Sequence, residues 1–101
     1  MTAVLPDRSF KNYVRMACST ASTSFREKLS ADELTHALLT GRVPVGRRPH
    51  LRTLINEVPA GVIRGLIQTL GADAGPEVIA RNLACIAKEL RLEESLRRIG
   101  L

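Results

Sequence analysis

Ile79, Leu83, Ile86 and Leu90 step along the chain by four, three and four residues. That spacing sets all four on one stripe of an α-helix, and only packing against other helices buries such a stripe. Val62, Ile63, Leu66, Ile67 and Leu70 repeat the pattern on a wider face, which predicts a central helix. Leu34, Ala37 and Leu38 form a third apolar stripe, and Phe10, Tyr13, Val14 and Ala17 a fourth. No candidate strand is longer than the Val43–Val45 stretch. Aromatics make up only 3 % of the chain and tryptophan is absent, so aliphatic side chains must fill the core, which favours helix packing over a sandwich or barrel. The fold class expected is all-α: one domain over residues 1–101, a single bundle of five or six short helices, with an Arg/Pro/Gly linker near residues 41–49.

Starts and stops divide the helices. A short extended leader ends at Pro6 and Asp7, and the first helix is expected from about Arg8 to Cys18. The hydroxyl-rich run Ser19 to Ser24 competes for backbone hydrogen bonds and should weaken helicity there. Ser24 to Glu27 fits a capping box, and Ser30 to Glu33 fits a stronger one, with Leu29 and Leu34 placed as a hydrophobic staple. Gly41 is a suitable left-handed stop for the helix opened at Ser30. Pro49 suits the first turn of a helix carrying Leu51, Leu54 and Ile55, and Pro59 restarts the chain. Gly71 should close the central helix, and Gly75-Pro76-Glu77 should open the last long one. At Arg91 the seam slips, and Leu92, Leu96 and Ile99 continue on a rotated face: either the helix bends or a new short helix begins before Gly100.

Chemistry is sparse. His36 shares a helical face with Asp32 and Glu33, but no further neutral or thiolate ligand stands near, so a surface histidine beside helix N-terminal acids is the expected reading. No nucleophile elbow, zinc-protease motif, phosphate loop or dinucleotide fingerprint occurs. Gly71 to Gly75 precedes a helix N-terminus, but Asp73 and Glu77 already supply the negative charge an anion would bring. Cys18 and Cys85 stand far apart with no paired cysteine or histidine, and are expected as small buried hydrophobes rather than a disulfide or metal site. The expectation is a non-enzymatic protein with no cofactor and no metal.

Binding is the remaining class. Net charge is +5, and the basic residues are arginines except for Lys11, Lys28 and Lys88. The stretch from Gly41 to Arg52 holds four arginines, two glycines and two prolines, and no acid lies between Glu33 and Glu57. Guanidinium groups match phosphate and carboxylate bidentately. The leading expectation is therefore a small regulatory protein that binds DNA or RNA electrostatically through Arg42, Arg47, Arg48 and Arg52, with His50 as an auxiliary donor. Base stacking is not expected to contribute, since the only rings besides the histidines are Phe10, Tyr13 and Phe25. Two windows, Val62 to Leu83 and Ile86 to Leu101, resemble a helix-turn-helix. In the first, Glu77 stands at the tip that should meet DNA and the turn is too long. In the second, Arg91 replaces the turn glycine and Glu93 and Glu94 take the groove-facing positions. The alternative is a helical adaptor or inhibitor that binds a partner protein or a second copy of itself through aliphatic faces, with Leu92, Leu96 and Ile99 as the interface. No apolar window is long enough to span a membrane and the N-terminus lacks a signal-peptide pattern, so a cytoplasmic setting is expected.

Overall fold

The computed structural model describes residues 5–23 and 25–101, with residues 5–10 by backbone alone. Six α-helices and one 3₁₀ turn form among these residues, with no strand, so the all-α expectation holds. They are α1 (Leu5–Ser22), α2 (Ala31–Thr40), α3 (Arg48–Glu57), α4 (Ala60–Ala74), α5 (Pro76–Glu89), the 3₁₀ turn Glu93–Ser95 and α6 (Leu96–Ile99). Helix α1 lies across α3 and α4, α4 packs on α5, and α5 carries α2 on its other flank. The α5 seam is the centre of the core: Ile79, Leu83 and Ile86 are fully buried and Leu90 nearly so. Leu34, Leu51, Leu54, Ile55, Ile63 and Leu66 close around it.

Helix α2 follows its sequence signals most closely. The Ser30 hydroxyl accepts a hydrogen bond from the Glu33 amide at 3.0 Å, and the Glu33 carboxylate accepts one from the Ser30 amide at 2.9 Å. Gly41 ends the helix at φ 76°, a conformation that carries a Cβ penalty for other residues. Leu29 and Leu34, the staple pair, are both buried.

Elsewhere tertiary contacts override local preference. Helix α1 begins at Leu5, ahead of the expected Arg8, and includes Pro6 and Asp7 in its first turn. It also runs past Cys18 through the hydroxyl-rich residues to Ser22, because Ala17 and Ala21 are both buried in the core and hold that turn in place. The Ser22 hydroxyl accepts from the Leu29 amide at 2.9 Å, so its hydrogen bond fixes the following loop instead of breaking the helix. The Ser24 capping box lies outside the described residues. Helix α4 continues through Gly71 to Ala74 and ends at Gly75. Gly71 instead permits close approach: a Cβ there would lie 2.5 Å from the Cα of Pro76.

At Arg91 a new element begins. Arg91 takes the left-handed conformation at φ 59°. Its amide donates to the Lys88 carbonyl at 3.1 Å, and the Leu92 amide donates to the Ala87 carbonyl at 2.7 Å, the paired bonds of a Schellman stop. The chain then turns back through the 3₁₀ segment and drives Ile99 into the core.

Four helix ends are closed from another helix. Arg64 of α4 donates to the Ile99 carbonyl at the end of α6 at 3.1 Å. Arg98 of α6 donates to the Val58 carbonyl at 2.8 Å and to the Ile55 carbonyl, at the end of α3. Arg52 of α3 donates to the Leu90 carbonyl at the end of α5 at 3.0 Å, and Asn82 of α5 donates to the Leu38 carbonyl in the last turn of α2 at 2.7 Å. The last carbonyls of a helix lack intrahelical donors and carry the negative end of its dipole, so a guanidinium both satisfies and neutralises them.

Candidate binding surfaces

The arginine-rich segment does not converge on one open patch. Arg47 reaches towards the N-terminus of α2, where its Nε lies 3.1 Å from Glu33 Oε1 and its Nη1 3.4 Å from Glu27 Oε2, with the side chain only 17 % exposed. Arg48 faces the opposite way and pairs with Glu89 of α5 at 2.9 Å. Arg52, one turn on, is held by the Leu90 carbonyl. Arg42 is exposed, with no side-chain hydrogen bond among the described residues.

His50 is not available as an external donor. It is 4 % exposed, its Nε2 donates to the Glu27 carbonyl at 2.7 Å, and its ring lies 4.3 Å from that of Phe25. Its Nδ1 is buried without a partner among the described residues. The linker is thereby tied down at Arg47 and at its entry into α3, and Val43 packs against the core.

Glu33 sits at the meeting point of these contacts. The Ser30 amide hydrogen bond holds its carboxyl below the ordinary 4.5, helped by the hydrogen bond and charge of Arg47, while partial burial works against them. The guanidinium of Arg47 is held more firmly protonated in turn, first by its hydrogen bond to Glu33.

The aliphatic interface expected at the C-terminus is also used internally. Ile99 is fully buried, and Leu92 and Leu96 are half-buried against the core. Seen from sequence the rotated face is surplus; in the fold it is the inner face of α6. His36 and Asp32 are exposed, and no group of three His, Cys, Asp or Glu side chains able to hold a metal occurs among the described residues. Both cysteines are free. Burial, with the nearby Glu33 charge, pushes the Cys18 thiol up to about 11. Cys85, expected to be buried, is exposed, because it lies one residue off the seam on the outer side of α5.

An open groove of about 490 Å³ runs beside α1, between that helix and the chain leading into α2. Val14 and Leu29, both buried, and half-buried Cys18 form its floor. Exposed Lys11, Arg15 and Lys28 form its rim. Lys11, Arg15, Cys18 and Ser22 step by four, three and four residues, the interval of the core seam, but on the flank of α1. That step was the available signal. The polar members hid it, and the opposite wall comes from residues after the loop. No helix among the described residues is long and apolar enough to cross a membrane. Compared with known proteins, the chain matches no family model, no curated protein and no solved structure.

Proposed function

We propose that this protein is a non-enzymatic helical adaptor that works by binding a partner protein, not a catalyst and not a nucleic-acid clamp. The observation that carries this reading is where its cations go. Arg47 and Arg48 are matched by carboxylates, and Arg52, Arg64 and Arg98 by helix-terminal carbonyls. Phosphate binding through the arginine segment would have to displace those partners, and only Arg42 among them is unengaged among the described residues. An open surface of mixed character is the groove beside α1, whose apolar floor offers nothing to a phosphate backbone. A non-catalytic role is supported by the placement of the histidines: His36 is exposed on α2 and His50 is buried with its Nε2 on a backbone carbonyl.

The test is affinity capture of the tagged protein from its own cells, with and without nuclease. A protein band in stoichiometric amount that survives nuclease supports the adaptor. Loss of all captured material on nuclease treatment would return the nucleic-acid reading. An anisotropy titration against duplex DNA and RNA across a salt series should then show no change in slope for the Arg47→Ala/Arg48→Ala variant. A slope reduced by nearly two units would show that both arginines contact phosphate after all.

A further inference from the structure

We infer that the groove beside α1 is the docking site for an amphipathic helix of the partner protein, one that carries acidic residues along the edge of its apolar face nearest α1. This rests on the adaptor reading and specifies the surface and the chemistry of what it takes.

Length comes first. The wall of the groove runs along α1 from Lys11 to Ser22, three helical turns or about 16 Å at 1.5 Å per residue. A helix of about three turns laid alongside matches that run, and its side chains three and four apart would drop into an apolar floor that is itself spaced by four residues at Val14 and Cys18.

Charge is the second argument. The two rim cations on α1, Lys11 and Arg15, differ from the carboxylate-paired Arg47 and Arg48. Arg15 donates to the neutral side chain of Asn12 at 3.3 Å. Lys28 donates to the Ser22 and Phe25 carbonyls at 3.2 and 3.3 Å. Lys28 thereby closes the last carbonyl of α1, as Arg52 does for α5, whereas Arg15 meets no carboxylate among the described residues. No carboxylate lines the groove among the described residues. The nearest acid acting on its floor, Glu33, is engaged by Arg47. Lys11 and Arg15 stand along the α1 wall, and the Lys28 ammonium sits at the end of that helix, so complementary acids belong on the edge of the bound helix that faces α1.

The floor excludes a charged occupant at its centre. Cys18, with its thiol protonated at neutral pH, behaves there as a small apolar group. A leucine-faced, glutamate-edged helix meets every one of these conditions, whereas a nucleic-acid backbone meets only the charge.

The probe is a synthetic four-turn peptide with leucines on one face and glutamates along one edge of it, compared with the same peptide carrying lysines there. Binding to the full chain is read by anisotropy and located by backbone amide shifts. The glutamate peptide should bind and move the amides of Val14, Cys18 and Leu29. The Lys11→Glu/Arg15→Glu variant should weaken it by about tenfold or more, a change of about 1.4 kcal/mol or more. Arg42→Glu should leave it within about twofold, as a distant rim charge does. Equal binding of the lysine peptide, or no binding of either, overturns the proposal. Shifts confined to another surface overturn the groove and leave the adaptor standing, while nuclease-sensitive capture overturns the adaptor itself.

Discussion

Replacing Arg98 with alanine tests the trans-capping of helix ends directly. Its guanidinium donates to the carbonyls of Ile55 and Val58 and so closes the last turn of α3. Hydrogen bonds from a charged donor are worth about 1.5–3 kcal/mol, and a cation at a helix C-terminus adds about 0.3–1 kcal/mol. Ile55 and Val58, whose carbonyls it reaches, are both fully buried. The two contributions together set the loss at about 2–4 kcal/mol. For a chain of this length that corresponds to a fall in Tm of roughly 10–30 °C. Urea denaturation followed by circular dichroism would measure it. Arg97→Ala is the internal control: Arg97 is exposed and makes no side-chain hydrogen bond among the described residues, so its loss should stay within about 0.5 kcal/mol. Arg98→Lys should recover less than about half of the loss, because one ammonium cannot reproduce a fork across two carbonyls. Equal midpoints for the two alanine variants would refute the reasoning.

Three further outcomes follow from named contacts. Gly71→Ala should destabilise by about 1–2 kcal/mol, since the new Cβ meets the Pro76 backbone, while Gly61→Ala on the same helix, with open space around it, should be neutral or stabilising by up to about 1 kcal/mol; thermal melts of the pair decide it. At pH 8 iodoacetamide should label exposed Cys85 first: with its thiol near 11, Cys18 is thiolate in only about one molecule in a thousand, and mass spectrometry showing comparable rates would contradict the burial of that side chain. Glu33 has a lowered pKa in the fold, so its contribution is fully present above the ordinary carboxylate value and fades as pH falls through the lowered one. Urea midpoints for wild type and Glu33→Gln should therefore differ most near neutrality and converge in acid; a constant gap would assign the effect to packing.

Much of this architecture is legible in the sequence. The Ile79–Leu90 seam, the Ser30–Glu33 box and the Gly41 stop are local devices, and each appears where its residues stand. The errors share one cause. The length of α1 past Cys18 and of α4 past Gly71 is set by what they pack against, Ala21 in the core in one case and the Pro76 backbone in the other. No local window contains those partners. The same limit governs the candidate sites. Arg47 and Arg48 look free in a stretch without acids, yet Glu33 and Glu89 come to them from other helices. Ile99 looks surplus because the turn at Arg91, a left-handed arginine, reverses its direction. The groove combines Lys11 and Arg15 with Lys28 across a loop, a juxtaposition that only the fold supplies.

The trans-capping contacts also form an ordered series: α4 closes α6, α6 closes α3, α3 closes α5 and α5 closes α2. The carbonyls these contacts reach are paired only once the neighbouring helix has docked. The last turns are then completed by tertiary structure, and fraying at one terminus is felt at the helix it caps. A protein built this way should exchange its most protected amides only through global opening, so that a hundred-residue chain with short helices behaves as one cooperative unit.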